Sequence, residues 1–352
     1  LRLSRGLGDV YKRQTKAVAY TLKTYSKHTI EYPYPVAISV HAASIGMEYP
    51  MICFNFGRPN EDGTYSDATK WRMISVIIHE VGHFFIPMII NSDERQWTWM
   101  DEGLNTFVQS LTQKEYYKDM PLRRGTAESI VDYMRSPKDM LRPIMTNSEQ
   151  IASREFGANA YGKPASALSV LRETIMGPEL FDYAFKEYSR RWAFKHPDPA
   201  DFFRTMEDAS AIDLDWFWRG WFYSTDNVDV SVEGVKWFKM KNVDKPFENK
   251  AKVENKEIKG KKNQSDDPKY AMPFEPSEFY FSSTNKNEYR EFMNQVDDDK
   301  IKMQNSNKNF YEVTFENKGG LVTPLIIEWT YEDGSIEIEK IPAEIWLSLI
   351  HI

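Results

Sequence analysis

Residues 79–83 read His-Glu-Val-Gly-His, and residues 99–103 read Trp-Met-Asp-Glu-Gly. Eighteen residues separate His83 from Glu102, the glutamate of the second stretch. In an α-helix, residues four apart differ by about 40° in direction and about 6 Å in rise, so two imidazoles at that spacing can reach one ion from the same face. We therefore expect a metal site built on a helix, with His79, His83 and Glu102 as its ligands.

The segment around the two histidines has the pattern of a buried helix. Ser66 or Asp67 can cap its N-terminus, because their side-chain oxygens accept hydrogen bonds from the first free amides. Pro87 lacks an amide proton and is expected to end or kink the helix. Without Glu102, the histidines could equally be hydrogen-bonded core residues, and the downstream glutamate favours the metal site. The apolar surface expected of such a helix is formed by Ile74, Ile77, Ile78, Val81, Phe84, Phe85 and Met88.

The ligand types predict the chemistry of the site. Two nitrogen ligands and one oxygen ligand leave a coordination position open, as in catalytic zinc sites. Zinc can lower the pKa of a bound water to about 7. Glu80, next to the first histidine, can then take a proton from that water and deliver it to a leaving amine. The sequence therefore predicts one zinc ion per chain and Glu80 as the acid–base residue.

Composition excludes several classes of protein. The chain has 352 residues, enough for two domains, and its 41% hydrophobic and 14% aromatic content is typical of a globular protein. A net charge of −7 argues against a general nucleic-acid interface, so no nucleic-acid partner is expected. Cys53, the single cysteine, cannot form an internal disulfide and is expected to be a buried strand thiol. No apolar run reaches the roughly 18 residues that a membrane-spanning helix needs.

The order of predicted elements separates a helical part from later β-structure. Strands are expected at residues 36–40 and 51–54, ahead of an almost wholly helical stretch over 67–223. Within it, a helix over 97–113 carries Glu102. The aromatic residues between 216 and 223 are expected to pack in the core rather than to bind a cofactor. Further helices are predicted at residues 17–27 and from Pro164, Pro178, Asp198-Pro199 and Asp213-Leu214.

Beyond residue 223 the composition changes. Residues 249–269 are rich in lysine and poor in apolar side chains, which is typical of a solvated linker. A charged helix is expected over 288–303. Residues 310–346 read as β-structure, and Asp333-Gly334 reads as a hairpin turn.

Both ends of the chain resemble peptides translated from sequencing-adapter DNA. Residues 1–14 read LRLSRGLGDVYKRQ, and residues 347–352 read LSLIHI. We interpret both as non-native tails. An ordinary basic tail and an ordinary last strand are the alternatives.

The two opening stretches and the gap between them resemble the aminopeptidase N and leukotriene hydrolase family of gluzincin metallopeptidases. The resemblance implies an α+β fold, with a mainly helical thermolysin-like catalytic domain preceded by β-strands and a partial C-terminal β-sandwich. It divides the chain into a zinc metallopeptidase catalytic domain over 15–228, a linker and irregular region over 229–309, and a partial β-sandwich over 310–346. The family's N-terminal β-sandwich has no counterpart here, so we expect an incomplete substrate pocket.

A second stretch carries the same resemblance. Ile45-Gly46-Met47-Glu48-Tyr49 is similar to the family's GxMEN exopeptidase motif. The resemblance implies that Glu48 binds the free α-amine of a peptide, while the backbone around Gly46 and Met47 lines the peptide groove. An exposed strand charge is the alternative for Glu48. Ile45 and Tyr49 depart from the motif's first glycine and its asparagine.

A third stretch, Tyr161-Gly162-Lys163-Pro164, is similar to the family's Tyr-x-Lys-Gly setting. The resemblance implies that the Tyr161 hydroxyl donates to the oxyanion formed during hydrolysis. Tyr133 and Tyr188 remain alternatives for this donor. Asn105 and Asp101 are candidates for residues that support the metal ligands from behind.

These observations predict a zinc-dependent aminopeptidase that hydrolyses the N-terminal peptide bond of peptides with a free N-terminus. One alternative is a catalytically silent binding scaffold of the same fold, although none of the ligands or the base is lost here. Another is an endopeptidase, or a bifunctional hydrolase that also acts on a lipid epoxide. The sequence assigns no compartment.

Overall fold

The structure is a computed structural model that describes residues 8–57, 59–239 and 309–347. The predicted linker over 249–269 and the predicted helix over 288–303 lie outside the described residues, as do residues 1–7 and 348–352. The chain forms two compact units, one of residues 1–229 with 319–352 and one of residues 230–318. Each unit is described by itself below.

A helix and a small sheet open the first unit. The helix α1 spans Gly8–His28 and includes the predicted helical stretch 17–27. Three strands follow, namely β1 (Ile38–His41), β2 (Met47–Tyr49) and β3 (Ile52–Asn55). Their order is β1-β3-β2, with β1 parallel and β2 antiparallel to β3. The strand β2, which carries Glu48, therefore lies at the edge of this sheet.

The histidine-bearing helix α2 spans Asp67–Gly82. Ser66 caps it, since its hydroxyl accepts a hydrogen bond from the Thr69 amide at 3.1 Å. Pro87 has no amide proton to offer the His83 carbonyl, and the Met88 amide donates to that carbonyl instead, at 3.1 Å. The predicted cap and the predicted end before Pro87 are both confirmed, and His83 is the C-cap residue.

The helical part continues to residue 223, as predicted. The expected helix over 97–113 is replaced by a short helix, a wide π-helical turn and a longer helix. Two further π-helical turns lie at Gly157–Gly162 and Leu171–Met176. The elements that follow α2 are α3 (Glu94–Thr98), the π-helical turn Trp99–Gly103, α4 (Leu104–Tyr116), α5 (Val131–Met134), α6 (Ser153–Phe156), α7 (Lys163–Val170), α8 (Pro178–Trp192), α9 (Pro199–Ser210) and α10 (Asp215–Tyr223).

An aromatic core fixes the turn that carries Glu102. The Trp99 ring is stacked on Phe203 with a centroid distance of 5.9 Å and meets the Phe222 ring edge-on at 4.9 Å. Of the aromatic residues of α10 that were expected in the core, four are buried, Trp216 is half-buried and Tyr223 is exposed. The four buried residues are Phe217, Trp218, Trp221 and Phe222. Cys53 is buried in β3, also as predicted.

Two antiparallel strand pairs complete the described residues. In the second unit, β4 (Val230–Lys239) pairs with β5 (Asn309–Asn317). The region 229–309, which was expected to be irregular, therefore contains strand residues at both of its ends. In the first unit, β6 (Leu325–Thr330) and β7 (Ile336–Ile341) form a hairpin. The predicted turn lies between them, with Gly334 at φ 82°.

The mixed α+β fold class is confirmed. The domain boundaries and the likeness of the helical part to thermolysin stay predictions. Among the helices in the described ranges, none is both long and apolar enough to cross a membrane.

Candidate active site

One atom from each of the three predicted ligands lies in a small cluster between α2 and the π-helical turn Trp99–Gly103. The His79 Nε2 atom lies 3.0 Å from Glu102 Oε2, and the His83 Nε2 atom lies 3.2 Å from His79 Nε2 and 3.3 Å from Glu102 Oε2. Tetrahedral zinc with ligands at about 2.1 Å has ligand atoms about 3.4 Å apart. This ligand triangle of His79, His83 and Glu102 therefore has the size that one zinc ion requires.

Hydrogen bonds behind His79 fix which of its nitrogens faces the triangle. The Gln109 amide nitrogen donates to the Ser75 carbonyl at 3.0 Å, so the Gln109 Oε1 atom faces His79. This oxygen lies 3.0 Å from His79 Nδ1 and favours a proton on that nitrogen, while the Asn105 amide nitrogen also lies 3.2 Å from it. In the tautomer that Gln109 favours, the Nε2 lone pair of His79 points into the triangle. Gln109 was not predicted, although it stands on the same helical run as Glu102, seven residues later.

The Nδ1 side of His83 faces acceptors. Its Nδ1 atom lies 2.8 Å from the Ile86 carbonyl oxygen, which can only accept a hydrogen bond. Asp101 Oδ1 also lies 2.8 Å from this nitrogen, and burial raises the pKa of the Asp101 carboxyl. With neutral histidines that carry their proton on Nδ1, both Nε2 lone pairs and a Glu102 oxygen would face one point. A cation at that point removes their mutual repulsion, so the donor set fits a metal ion.

Asn105 supports the first histidine from the helix α4. Its amide nitrogen donates to the His79 carbonyl at 3.0 Å, and its Oδ1 atom accepts a hydrogen bond from the Tyr25 hydroxyl at 2.7 Å. Gly82 lies directly against this pair, because a Cβ atom there would collide with the Tyr25 hydroxyl and with Asn105 Oδ1. Asn105 and Asp101, the predicted supporting residues, both contact a ligand residue from behind.

Glu80 lies beside the triangle and is only 6% exposed. Burial raises the pKa of its carboxyl to about 7, with the two histidines opposing this shift and the nearby carboxylates adding to it. Gly46 approaches it closely, since a Cβ atom added there would stand 2.5 Å from Glu80 Oε1. The edge strand region therefore lies against the candidate base.

Glu48 also reaches this region. One carboxylate oxygen of Glu48, one His83 nitrogen and one Asp101 oxygen all lie within 4.8 Å of one another. Met47, the preceding residue, pairs with Phe54 of β3, which leaves the other edge of β2 free within the sheet. The structure thus brings the candidate amine-binding residue and the candidate groove strand to the ligand triangle.

Tyr161 contacts the triangle from the second π-helical turn, Gly157–Gly162. Its hydroxyl donates to Glu102 Oε1 at 2.6 Å, and its ring is stacked on His79 with a centroid distance of 5.9 Å. The two alternative tyrosines lie elsewhere. Tyr188 is buried against Phe202, and the Tyr133 hydroxyl accepts a hydrogen bond from a loop amide at 3.3 Å.

Arg124 is a neighbour of the site that the sequence did not indicate. Its guanidinium carbon lies 4.3 Å from the centroid of the Tyr161 ring. The residue belongs to a polar segment between α4 and α5, where no periodic pattern singles out one charged side chain. Its place beside Tyr161 follows from tertiary structure alone.

Comparison with known proteins identifies a family whose domain matches this chain. The Peptidase family M1 domain matches residues 14–221. Glutamyl aminopeptidase of Sus scrofa is 24% identical over 184 residues, which make up 51% of this chain and 19% of that protein. Aminopeptidase M1 of Arabidopsis thaliana is 22% identical over 225 residues, or 61% of this chain and 26% of that protein.

A solved M1 zinc metallopeptidase from Deinococcus radiodurans is similar at 18% identity and a TM-score of 0.45, over 58% of this chain and 43% of that chain. The matched part spans only 19% and 26% of the length of the two curated relatives. The family domain nevertheless covers more than half of the chain, and every predicted site residue falls within residues 14–221. The predicted family is therefore confirmed, and the chain belongs to peptidase family M1.

Proposed function

We propose that the chain carries the active site of a zinc-dependent aminopeptidase, which removes the N-terminal residue of peptides. The observation that carries this proposal is the ligand triangle, in which two imidazole nitrogens and one carboxylate oxygen lie 3.0–3.3 Å apart. Membership of a peptidase family and the likeness to aminopeptidases support the same reaction class. His79, His83 and Glu102 would hold the zinc ion.

Glu80 is the proposed acid–base residue. Zinc in the triangle supplies a Lewis acid that makes water a nucleophile near neutral pH. Glu80 accepts the proton of the attacking water and delivers it to the nitrogen of the leaving amine. Its burial keeps other water away from the carboxyl, and Gly46 leaves the space that its Oε1 atom occupies.

Tyr161 is the proposed donor to the oxyanion. Its hydroxyl is bonded to Glu102 Oε1 at 2.6 Å, so it must exchange this partner for the substrate carbonyl oxygen as negative charge develops there. A donor that serves both partners in turn stabilises the transition state more than the ground state.

Glu48 is the proposed anchor for the free amine. A carboxylate beside the metal ligand His83 fixes an ammonium group one residue away from the scissile carbonyl. The free edge of β2, at Gly46 and Met47, offers backbone groups to an extended peptide. Both features together favour cleavage after the first residue.

The test combines metal content with hydrolysis of aminoacyl-arylamides by the chain and its Glu80→Gln variant. We expect one zinc ion per chain in both proteins, and a kcat about 10²- to 10⁴-fold lower in the variant. Glu179→Gln, an exposed position on α8, is the matched control and should behave like the wild type.

Three outcomes would contradict the proposal. Full activity of Glu80→Gln would remove the assigned base. Zinc bound at one ion per chain without turnover of any peptide would favour the binding scaffold. Cleavage of N-acetylated peptides at the rate of free ones would instead favour an endopeptidase, because a blocked amine cannot pair with Glu48.

A further inference from the structure

The guanidinium of Arg124 lies at the edge of the active site without a fixed anionic partner. Within residues 8–57, 59–239 and 309–347, its only specific contact is the ring of Tyr161, at 4.3 Å. Its side chain is reached by solvent. The protein atoms around the group nevertheless lower its pKa, and the nearby Tyr161 and Glu102 offset this only in part. A cation in this setting gains from any anion that can approach it.

Among the described residues, none accepts a hydrogen bond from the guanidinium of Arg124. A guanidinium that lies over an aromatic ring can keep its N–H groups available to a ligand. Gly157 lies close to the group, since a Cβ atom at that position would stand 3.1 Å from Arg124 Nη2. Carboxylates match the guanidinium fork with two parallel hydrogen bonds.

Charge is distributed unevenly around the ligand triangle. Glu48 lies next to His83 and Asp101. Arg124 lies next to Tyr161, which contacts the other two ligands, His79 and Glu102. The carboxylate of Glu48 therefore lies by the His83 corner of the triangle, and the guanidinium lies by the tyrosine that contacts the other two corners. A short peptide, with an ammonium at one end and a carboxylate at the other, has the complementary distribution.

We propose that Arg124 binds a carboxylate of the substrate on the leaving-group side of the scissile bond. This inference rests on the proposed function, in which Glu48 holds the amine on the opposite side. The carboxylate has two possible sources, the C-terminus of a dipeptide or an acidic side chain on the residue after the scissile bond. Both present the same pair of oxygens to Arg124.

The test uses two matched pairs of substrates. The first pair is Ala-Ala and its C-terminal amide, and the second pair is Ala-Glu and Ala-Gln, both as C-terminal amides. We expect kcat/KM of the wild type to favour the carboxylate member of at least one pair by about tenfold or more, since charge-assisted bidentate bonds are strong. The pair that shows the preference identifies the source of the carboxylate.

Variants then assign the preference to one side chain. In Arg124→Met the ratio within that pair should fall to about one, and in Arg124→Lys it should be intermediate, because an ammonium lacks the planar fork. Arg123→Met, at the exposed preceding residue, should keep the wild-type ratio. A purely structural role of Arg124 against Tyr161 would lower both members of a pair equally and leave the ratio unchanged.

A binding measurement separates this inference from the proposed function. Metal-free protein in EDTA is titrated with both members of each substrate pair, which removes any direct contact between carboxylate and metal. Tighter binding of the carboxylate member of at least one pair to the wild type, lost in Arg124→Met, supports the inference even if no peptide is hydrolysed. Equal binding within both pairs, or a preference that persists in Arg124→Met, would overturn it.

Discussion

The residues behind the ligand triangle differ sharply from those in front of it. Behind it, Tyr25 and Asn105 are fully buried, and their polar atoms are bonded to each other and to the His79 carbonyl. In front of it, Glu48 and Tyr161 are half-buried and Arg124 is exposed. The first group holds fixed partners, whereas the second group has donors and acceptors that a ligand can take over.

The buried residues behind the triangle and the more exposed residues in front of it therefore have different roles. A buried hydrogen-bonded network can orient each imidazole before a metal ion binds. Groups that face the substrate must exchange partners during the reaction, so they cannot be locked in the same way. The contrast predicts that changes behind the triangle affect folding and metal binding, while changes in front affect substrate selection.

Lys163 provides the strongest test of this contrast between buried residues with fixed partners and exposed residues without them. It is a buried, charged side chain near the site that has few hydrogen-bond partners. It is 2% exposed, and its Nζ atom donates to the Ser224 carbonyl at 2.9 Å. Burial lowers the pKa of this amine to about 8, against a weaker opposing effect of Asp226. Between about pH 8 and its ordinary pKa, the unfolded chain therefore binds more protons than the folded chain, and stability rises with pH.

The test of this prediction compares the wild type with Lys163→Met in EDTA by urea unfolding. The free energy of unfolding of the wild type, relative to the variant, should rise by about 2 kcal/mol from pH 8 to pH 10, with a slope of at most about 1.4 kcal/mol per pH unit. Lys186→Met, at an exposed position of α8, should run parallel to the wild type. A parallel profile for Lys163→Met would show that the amine titrates normally in the fold.

A second prediction concerns Gly82, where α2 touches the network behind the triangle. Alanine usually stabilises a helix relative to glycine by about 0.5–1 kcal/mol. Here the added Cβ would collide with the Tyr25 hydroxyl and Asn105 Oδ1, so Gly82→Ala should lower the free energy of unfolding by about 1–3 kcal/mol. Chemical denaturation of the metal-free chain measures this change.

The control for Gly82→Ala is Gly157→Ala, a helical glycine in front of the triangle. Its added Cβ meets only the flexible end of Arg124, at 3.1 Å. It should be neutral or slightly stabilising. If Gly82→Ala also stabilised the chain, the network behind the triangle would be looser than its hydrogen bonds indicate.

The features that the sequence predicted depend on local rules. The cap at Ser66, the helix end before Pro87 and the hairpin turn at Asp333-Gly334 each follow from a few adjacent residues. The spacing of His79 and His83 is equally local, because four residues in a helix always place two side chains on one face. Their predicted roles, and those of the other site residues, stay predictions.

The features that the sequence did not predict depend on tertiary contacts. The π-helical turns at Trp99–Gly103 and Gly157–Gly162 have no sequence signature, yet they carry Glu102 and Tyr161. Arg124 reaches the site from a segment without periodicity. Gln109 is an intermediate case. Its separation of two helical turns from Glu102 can be read from the sequence, whereas its contact with His79 cannot.

Gln109 gives the third and smallest prediction, and it tests the network behind the triangle through metal binding. Its Oε1 atom lies 3.0 Å from His79 Nδ1, so Gln109→Leu removes the acceptor that favours a proton on this nitrogen. Zinc affinity, measured by competition with a chelator, should fall about tenfold, the lower end for supporting residues, because Asn105 still holds the His79 backbone. Gln113→Leu is the matched control, since this buried glutamine one turn later contacts the Met120 sulfur at 3.7 Å and no ligand. Unchanged affinity in Gln109→Leu would mean that the metal ion itself orients the His79 ring. The residues behind the triangle would then not be needed to orient the ligands, and the contrast between fixed and exchangeable partners would not extend to the ligands.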